Sequence, residues 1–400
     1  TRLDLVHDYV RAGFLHEALS LIEQASPEPR SGTAPLVAYT AAWICHLLDD
    51  KPSERRWRTR ARAASPDYCF PARLEEFAIL EWATASDPRD ARAAGYLGHW
   101  LYDRRRHREA IRHWERAARL EPGYAVVWRN LGIGYYNIRR HPAKARRAYE
   151  RAFAAAPDDA RLFYERDQLW KRIGVPVTQR LRELERHQDL VRQRDDLTVE
   201  YGALLLQRGR AAEALALVMS RRFQPWEGGE GLSRGVFVRA HLALGRQALS
   251  GGEAAKAREH FAAALTSPEN LGEARHLLSN PGDVYYWLGC ACAAARDRAA
   301  ALDAWRVAAE LKGDFQEKHV TAFSEKTYFS ALAWEKLGRR AGARGLLRKL
   351  LEHARDLPRH EATIDYFATS LPTMILFDDD LQARRVTTAK ISTPAPRGRN

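Results

Sequence analysis

"YLGHWLYDRRRHREAIRHWERAARLEPGY", residues 96–124, and "VWRNLGIGYYNIRRHPAKARRAYERAFAAAPDD", residues 127–159, are two copies of one pattern. Leu97-Gly98 returns as Leu131-Gly132, 34 residues later. Leu101 falls on Tyr135, Ala110 on Ala145, Trp114 on Tyr149, Ala117 on Ala152 and Pro122 on Pro157, with one residue inserted in the second turn. Similarity at such a period marks a stacked repeat rather than one compact core. Each copy reads as two antiparallel helices, A and B. Gly98 and Gly132 let helix A lie close to helix B, and Ala110 and Ala145 are the small contacts from the B side. The large residues are expected to fill the gap to the next unit. Pro122 and Pro157 end helix B, because proline has no N–H to continue it.

The template recurs in looser form. Leu244-Gly245 is followed by Ala257, Phe261 and Ala264, and Leu288-Gly289 by Cys292, Ala301, Trp305 and Ala308. Gly202 leads to Leu205, Ala214 and Val218, and Ala331 to Trp334, Ala343 and Leu347. "YVRAGFLHEALSLIEQA" (9–25) gives the end of a helix A, a glycine turn and a helix B. Spacing lengthens to 43, 44 and 42 residues across Gly202, Gly245, Gly289 and Ala331, so the later units have longer helices or inserted loops. Pro71–Ser86 predicts one single helix, and Arg161–Lys171 with Val177–Val191 a degenerate pair. No run alternates with period two, so essentially no sheet is expected.

The two best copies resemble the tetratricopeptide repeat, whose W-x2-L-G-x2-Y…A-x3-F…P pattern they match. The resemblance implies an all-α solenoid of helical hairpins, a right-handed superhelix in which each unit packs only on its neighbours. We expect a single array over residues 1–390, with best-matching repeats at 91–124 and 125–159 and longer, degenerate ones at 195–355. The Pro-, Gly- and Arg-rich stretch 391–400, "ISTPAPRGRN", reads as a flexible basic tail.

A second resemblance covers nearly the whole chain. "SPDYCFPARLEE" (65–76), "RDDLTVE" (194–200), "RRFQPWEGGEG" (221–231), "SPENLGEARHL" (267–277), "DVYYWLG" (283–289) and "IDYFATSLPTMILFDDDLQARR" (364–385) are similar to stretches of a bacterial tetratricopeptide family. That family carries an upstream β-rich domain of unknown function, similar to sugar-binding β-sandwiches. The resemblance implies that these repeats are the C-terminal part of a longer protein. The β-rich domain is absent here, and a basic tail follows "FDDDLQARR" where the family usually has another helical unit.

Composition excludes several classes. The chain is 46% hydrophobic and 29% charged, which allows a folded, soluble array. No stretch approaches the length of a membrane span. The opening "TRLDLVHDYV" reads as helix, with no Met and no signal peptide, so an excised fragment of a cytoplasmic protein is expected. Cys45, Cys69, Cys290 and Cys292 are too few for a disulfide scaffold and have no zinc-ligand spacing, and read as small core residues. There is no H-E-x-x-H, phosphate-binding loop or G-x-S-x-G. His353 and His360, seven apart, are ordinary surface histidines. No catalytic residue, metal or cofactor is assigned, and the chain reads as a non-enzyme.

Three candidate sites remain. The first is the concave groove, where helix A positions two, five, nine and twelve point. Arg92, Gly95, His99 and Tyr102 take these positions in the Gly98 unit. Val126, Arg129, Ile133 and Tyr136, with Asn137 adjacent, take them in the Gly132 unit. Asp283, Tyr286, Cys290 and Ala293 take them in the Gly289 unit. Arg129 with Asn137 could hold a carboxylate, since arginine offers a planar fork of donors. Tyr102, Tyr136 and Tyr286 could supply flat contact area or simply pad the interior. The second is "QPWEGGEG" (224–231). Trp226 could plug the joint between two units while Glu227 and Glu230 cap the next helix, or the segment could be a contact surface for a domain or ligand. The third is basic. Arg55, Arg56, Arg58, Arg60 and Arg62 form one run. Arg104, Arg105, Arg106 and Arg108 form another, and Arg139, Arg140, Lys144, Arg146 and Arg147 a third. The last two lie at corresponding turns and should share one edge. An Arg-rich rim interspersed with acids is the plainer reading, and motifs for base stacking or groove reading are absent.

The expected function is thus a non-catalytic protein–protein interaction scaffold. Its partner would be a protein or peptide, including a fused β-rich domain. The alternative is an accessory part of a carbohydrate-binding or carbohydrate-processing protein. A third reading is nucleic-acid binding along the basic edge.

Overall fold

The computed structural model describes residues 2–24, 32–226, 228–316, 319–359 and 376–378. The tail 391–400, Glu227 and His360 lie outside them. The chain divides into two compact units, Thr1–Leu169 and Trp170–Asn400.

The first unit begins with two hairpins, α1 (Arg2–Arg11) with α2 (Leu15–Glu23) and α3 (Ala34–Leu47) with α4 (Lys51–Ala63). A lone α5 (Leu74–Ser86) follows. Two further hairpins are α6 (Ala91–Asp103) with α7 (His107–Leu120) and α8 (Ala125–Asn137) with α9 (Pro142–Ala155). Helix α10 (Ala160–Arg172) contains the point of division. The second unit continues through α11 (Val177–Arg186) and α12 (Gln188–Gln193). Then come the hairpins α13 (Asp195–Gln207) with α14 (Ala211–Met219) and α15 (Leu232–Ser250) with α16 (Ala254–Ala264). The last pairs are α17 (Gly282–Ala294) with α18 (Arg298–Glu310) and α19 (Glu325–Lys336) with α20 (Arg340–Asp356). Within each unit a helix packs on its hairpin partner and on the next hairpin. This is the all-α hairpin architecture that the tetratricopeptide resemblance implies.

The template residues act at close range. A Cβ on Gly98 would lie 2.4 Å from the Trp114 ring, and one on Gly132 2.4 Å from the Tyr149 ring. Gly245 meets Phe261 and Gly289 meets Trp305 in the same way. The large B-helix residue therefore seats on the glycine of its own hairpin, not only in the gap beyond as expected. The Trp114 ring still reaches across, lying 3.8 Å from where a Cβ of Gly134 would be. Helices α7 and α9 end two residues before Pro122 and Pro157. Some helix starts are capped by short polar side chains, with Asp50 accepting from Ser53 N at 3.1 Å and Asp90 from Ala93 N at 2.9 Å.

Every hairpin turn among the described residues places one residue in the left-handed region. Five are glycine: Gly13, Gly174, Gly209, Gly252 and Gly338. Four are not: Asp49 (φ 56°), Arg105 (60°), Arg140 (50°) and Arg296 (62°). A side chain there crowds the following carbonyl and costs about 1 kcal/mol or more relative to glycine.

Two expectations need correction. The helix expected over Pro71–Ser86 starts only at Leu74, because Arg73 is extended (ψ 155°) and Glu76 reaches back to the Ala72 and Arg73 amides. The helix expected over Val177–Val191 is interrupted at His187. The second unit also holds an antiparallel ribbon, β1 (Asp314–Gln316) with β2 (His319–Thr321). Strands of three residues are too short to show a period in sequence. Cys45, Cys69 and Cys292 are buried and Cys290 is partly so, all as free thiols.

Candidate functional site

Of the polar residues expected to line the groove in the first unit, His99 and Arg129 belong to one network. Helix α8 places Arg129 against Glu165 of α10, fork to fork, with Nε to Oε2 2.5 Å and Nη2 to Oε1 2.7 Å. Glu165 is buried, and also accepts from Arg161 Nε at 3.0 Å and Tyr149 Oη at 3.3 Å. Arg129 Nη1 donates to Asn130 Oδ1 at 3.2 Å. Asn130 Nδ2 in turn reaches His99 Nδ1 at 3.1 Å, where Trp114 Nε1 also donates at 3.0 Å. An indole N–H can only donate, so Nδ1 of His99 is an acceptor and its ring proton sits on Nε2. Burial, with Arg129 adding to it, pushes the His99 pKa down to about 4. Burial alone would lower Arg129, but Glu165 overrides it and holds the guanidinium more firmly charged than usual.

Arg129 thus does bind a carboxylate, but one from its own chain, and the amide beside it is Asn130 rather than Asn137. Asn137 is buried and Tyr136 half-buried on α8. Arg92 is likewise engaged, with Nη2 2.6 Å from Glu121 Oε1 and its guanidinium 4.4 Å above the Tyr124 ring. Tyr102 is half-buried between His107 and Trp114, at centroid distances of 4.5 and 5.1 Å. In the second unit Tyr286 is buried against Trp287 and Phe329. Acids of the second unit follow the same rule of internal pairing. Glu200 is held by Lys171 at 3.0 Å and Arg180 at 2.6 Å. Burial opposes the Glu200 charge, but these two cations hold its carboxyl below the usual range. Asp283 pairs with Lys326. The structure therefore joins His99 and Arg129 in one network with Trp114, Tyr149, Asn130 and Glu165, the last two being residues that the repeat positions did not single out.

"QPWEGGEG" is a laced joint. The Trp226 ring covers Gly229, where a Cβ would lie 1.9 Å away, and Gly229 N donates to Trp226 O at 3.0 Å. Gly228 and Gly231 take φ of 84° and 77°. Glu230 is exposed and accepts from Gly228 N at 2.9 Å. Of the two acids expected to cap α15, Glu227 lies outside the described residues and Glu230 turns back to its own loop. Glu273 supplies the cap, accepting from Gly231 N at 2.5 Å, Ser233 Oγ at 2.6 Å and Arg234 N at 3.0 Å. The entry to the joint is tied to the same segment, with Phe223 N to Asn270 O at 2.7 Å and Asn270 Nδ2 to Val218 O at 2.9 Å. Two of the stretches that carry the second resemblance, 221–231 and 267–277, therefore pack as one structure. Glu273→Ala should cost about 1–2 kcal/mol, as loss of a helix cap does. Hydrogen exchange should show the first turn of α15 losing protection while α17 and α18 keep theirs.

One surface stands apart from these internally satisfied groups. The segment 65–74 has a pinned backbone and outward side chains. Cys69 is buried, and a Cβ on Gly32 would lie 2.1 Å from Tyr68 O. Trp100 Nε1 donates to Arg73 O at 2.9 Å and Arg104 Nη2 to Ala72 O at 2.8 Å. Arg73 Nε meets Asp4 Oδ1 at 2.6 Å. Yet Tyr68, Phe70 and Leu74 are 76%, 67% and 69% exposed, and Tyr68 is held at φ 57°. The alternation Tyr68-Cys69-Phe70, one residue in and two out, was the available signal.

The first basic run is largely structural. Arg58 is buried, donating to Ala83 O at 2.9 Å beneath Trp82, and Arg62 meets Asp87 at 2.7 Å. His353 lies beside Phe323, 5.2 Å between centroids. Among the described residues no helix is long and apolar enough to cross a membrane.

No family model matches the chain. Among solved structures it is similar to PilW, described as a widely conserved type IV pilus biogenesis factor. The identity is 15% over 54% of this chain and 90% of that one, with a TM-score of 0.28. It is similar to a tetratricopeptide repeat protein from Parabacteroides merdae at 11% identity, over 74% and 98% of the two chains, with a TM-score of 0.33. It is also similar to YrrB, a TPR protein described as having an unusual peptide-binding site, at 16% identity over 58% and 91%, with a TM-score of 0.22. At these scores the likenesses carry no argument, and the repeat assignment rests on the packing described above.

Proposed function

We propose that the chain is a non-catalytic scaffold that binds a protein or peptide partner, and that its first unit does so through the 65–74 segment. The observation that carries this reading is the contrast within the segment. Its backbone is fixed by Gly32, Trp100, Arg104 and Glu76, while Tyr68, Phe70 and Leu74 are left in water. Apolar side chains exposed together mark contact surfaces, and a rigid backbone beneath them spares the entropy of ordering on binding. The inner-face groups support the same view from the other side. His99, Arg92, Arg129 and Glu200 are satisfied within the chain, which suits a structural interior better than an open catalytic cleft.

The test is a photo-crosslinking amino acid placed at Phe70 in cells, with the same group at the exposed Arg306 as control. The reading expects discrete adducts to polypeptide from position 70 and none of them from position 306. Identical adduct patterns from the two positions would sink it.

A further inference from the structure

Basic residues outnumber acids at the α6–α7 and α8–α9 turns. Residues 139–147 hold five basic residues and no acid. Residues 103–112 hold five basic residues and two acids. Both of those acids have partners, Asp103 with Arg104 at 3.4 Å and Glu109 with both ends of the Arg106 fork at 2.7 Å. The acids further along the B helices are engaged too. Glu150 takes Arg146 at 2.7 Å, and Glu115 accepts from Tyr135 Oη at 2.8 Å. Arg105, Arg108, Arg112, Arg139 and Arg147 are exposed and form no ion pair among the described residues.

The two turns belong to one edge. Tyr135 of α8 ties them, its hydroxyl on Glu115 of α7 and its ring beneath Lys144 of α9, 5.7 Å from the centroid. On α7, Arg108 and Arg112 are one helical turn apart and share a face. The edge also abuts the 65–74 segment, since Arg104 donates to Ala72 O and Arg106 lies over Phe77.

A second observation is independent of the charge count. Arg105 and Arg140 occupy the left-handed position that glycine takes at five other turns. Arginine in that conformation is held against its steric preference, so the presence of Arg105, which forms no ion pair among the described residues, asks for a gain elsewhere.

We infer that this edge binds an acidic segment of a protein, the unpaired guanidinium forks each taking an Asp or Glu carboxylate. The inference deepens the scaffold reading and rests on it for the partner being a protein. Guanidinium matches carboxylate in planar, two-bond geometry. No aromatic side chain is exposed on α7 or α9 to stack a base, and the neighbouring exposed Phe70 and Leu74 suit the side chains of a peptide.

The decisive variant is Arg105→Gly with Arg139→Ser, because it removes one unpaired charge from each turn and relieves the backbone at the first. Its probe is a short fluorescein-labelled Asp/Glu peptide, read by anisotropy at near-physiological salt, beside single-stranded DNA of similar charge. The control is Arg344→Ser with Arg348→Ser, which removes the same charge from exposed positions on α20. The inference expects the glycine variant to melt higher than the parent while its peptide affinity falls about tenfold, with the control unchanged. Equal losses in both double variants would reduce the effect to net charge and overturn it. Tighter DNA than peptide binding, lost in the glycine variant, would overturn it in favour of nucleic acid. Unchanged peptide affinity in the glycine variant, alongside adducts from position 70, would overturn the inference and leave the scaffold reading standing.

Discussion

Glu165→Ala is expected to cost the first unit about 3–5 kcal/mol, because it strands the largely buried Arg129 without a countercharge. The loss reaches further than the pair. Tyr149 and Arg161 lose an acceptor, and the guanidinium that orients the Asn130 bridge to His99 loses its own anchor. Removing both charges, as Arg129→Met with Glu165→Leu, should recover most of the stability, since an apolar pair of similar size carries no desolvation cost. Urea denaturation gives the total, and hydrogen exchange at the amides of α8 and α9 shows where it falls. A loss below about 1 kcal/mol for Glu165→Ala would mean the network is ornamental.

Acidification should act on both units through single histidines. In α6, His99 accepts two hydrogen bonds at Nδ1 and is pushed down to about 4. In α15, His241 is buried with its Nδ1 3.1 Å from that of His260 on α16, so one ring must donate and the other accept. Burial, aided by the His260 ring, brings His241 to about 4 as well. Both folded values lie below the unfolded value of 6.5, so the unfolded chain binds more protons between them. The stability they represent is complete above pH 6.5 and drains away as pH falls towards 4. The size is about 3 kcal/mol for each, to order of magnitude. His99→Gln keeps an acceptor for Trp114 but cannot titrate. Its stability should therefore fall less steeply than the parent's between pH 6.5 and 4.5. Parallel pH profiles for the two proteins would remove His99 from the account.

The hairpins could be read from sequence because their signals are local. Gly98 and Trp114 lie in one hairpin, and the spacing that brings them together is fixed by helix geometry. Pro122 and Pro157 stop helices by their own chemistry. The candidate site was less legible, because charge alone does not choose a partner. Arg129 could have faced solvent, a ligand or any of several acids, and only the packing of α10 brings Glu165, 36 residues on, to its fork. The same holds for Glu273, whose cap on α15 spans some forty residues that periodicity does not describe. Two features were readable and easily missed. Arg105 and Arg140 stand in the column where Gly13, Gly209 and Gly252 reveal a left-handed turn. Tyr68-Cys69-Phe70 alternates like a strand within a loop, and that alternation sends the two aromatics outward.

The Glu273 cap also bears on how the chain is made. Helix α15 emerges from the ribosome with its first amides open, and the carboxylate that closes them is translated about forty residues later. Until then the 221–231 joint has neither its cap nor its Asn270 anchor. The hairpin of α15 and α16 can form early, but its entry stays unlatched. A translational pause before Glu273 has emerged would prolong that open interval, and one after its emergence would not.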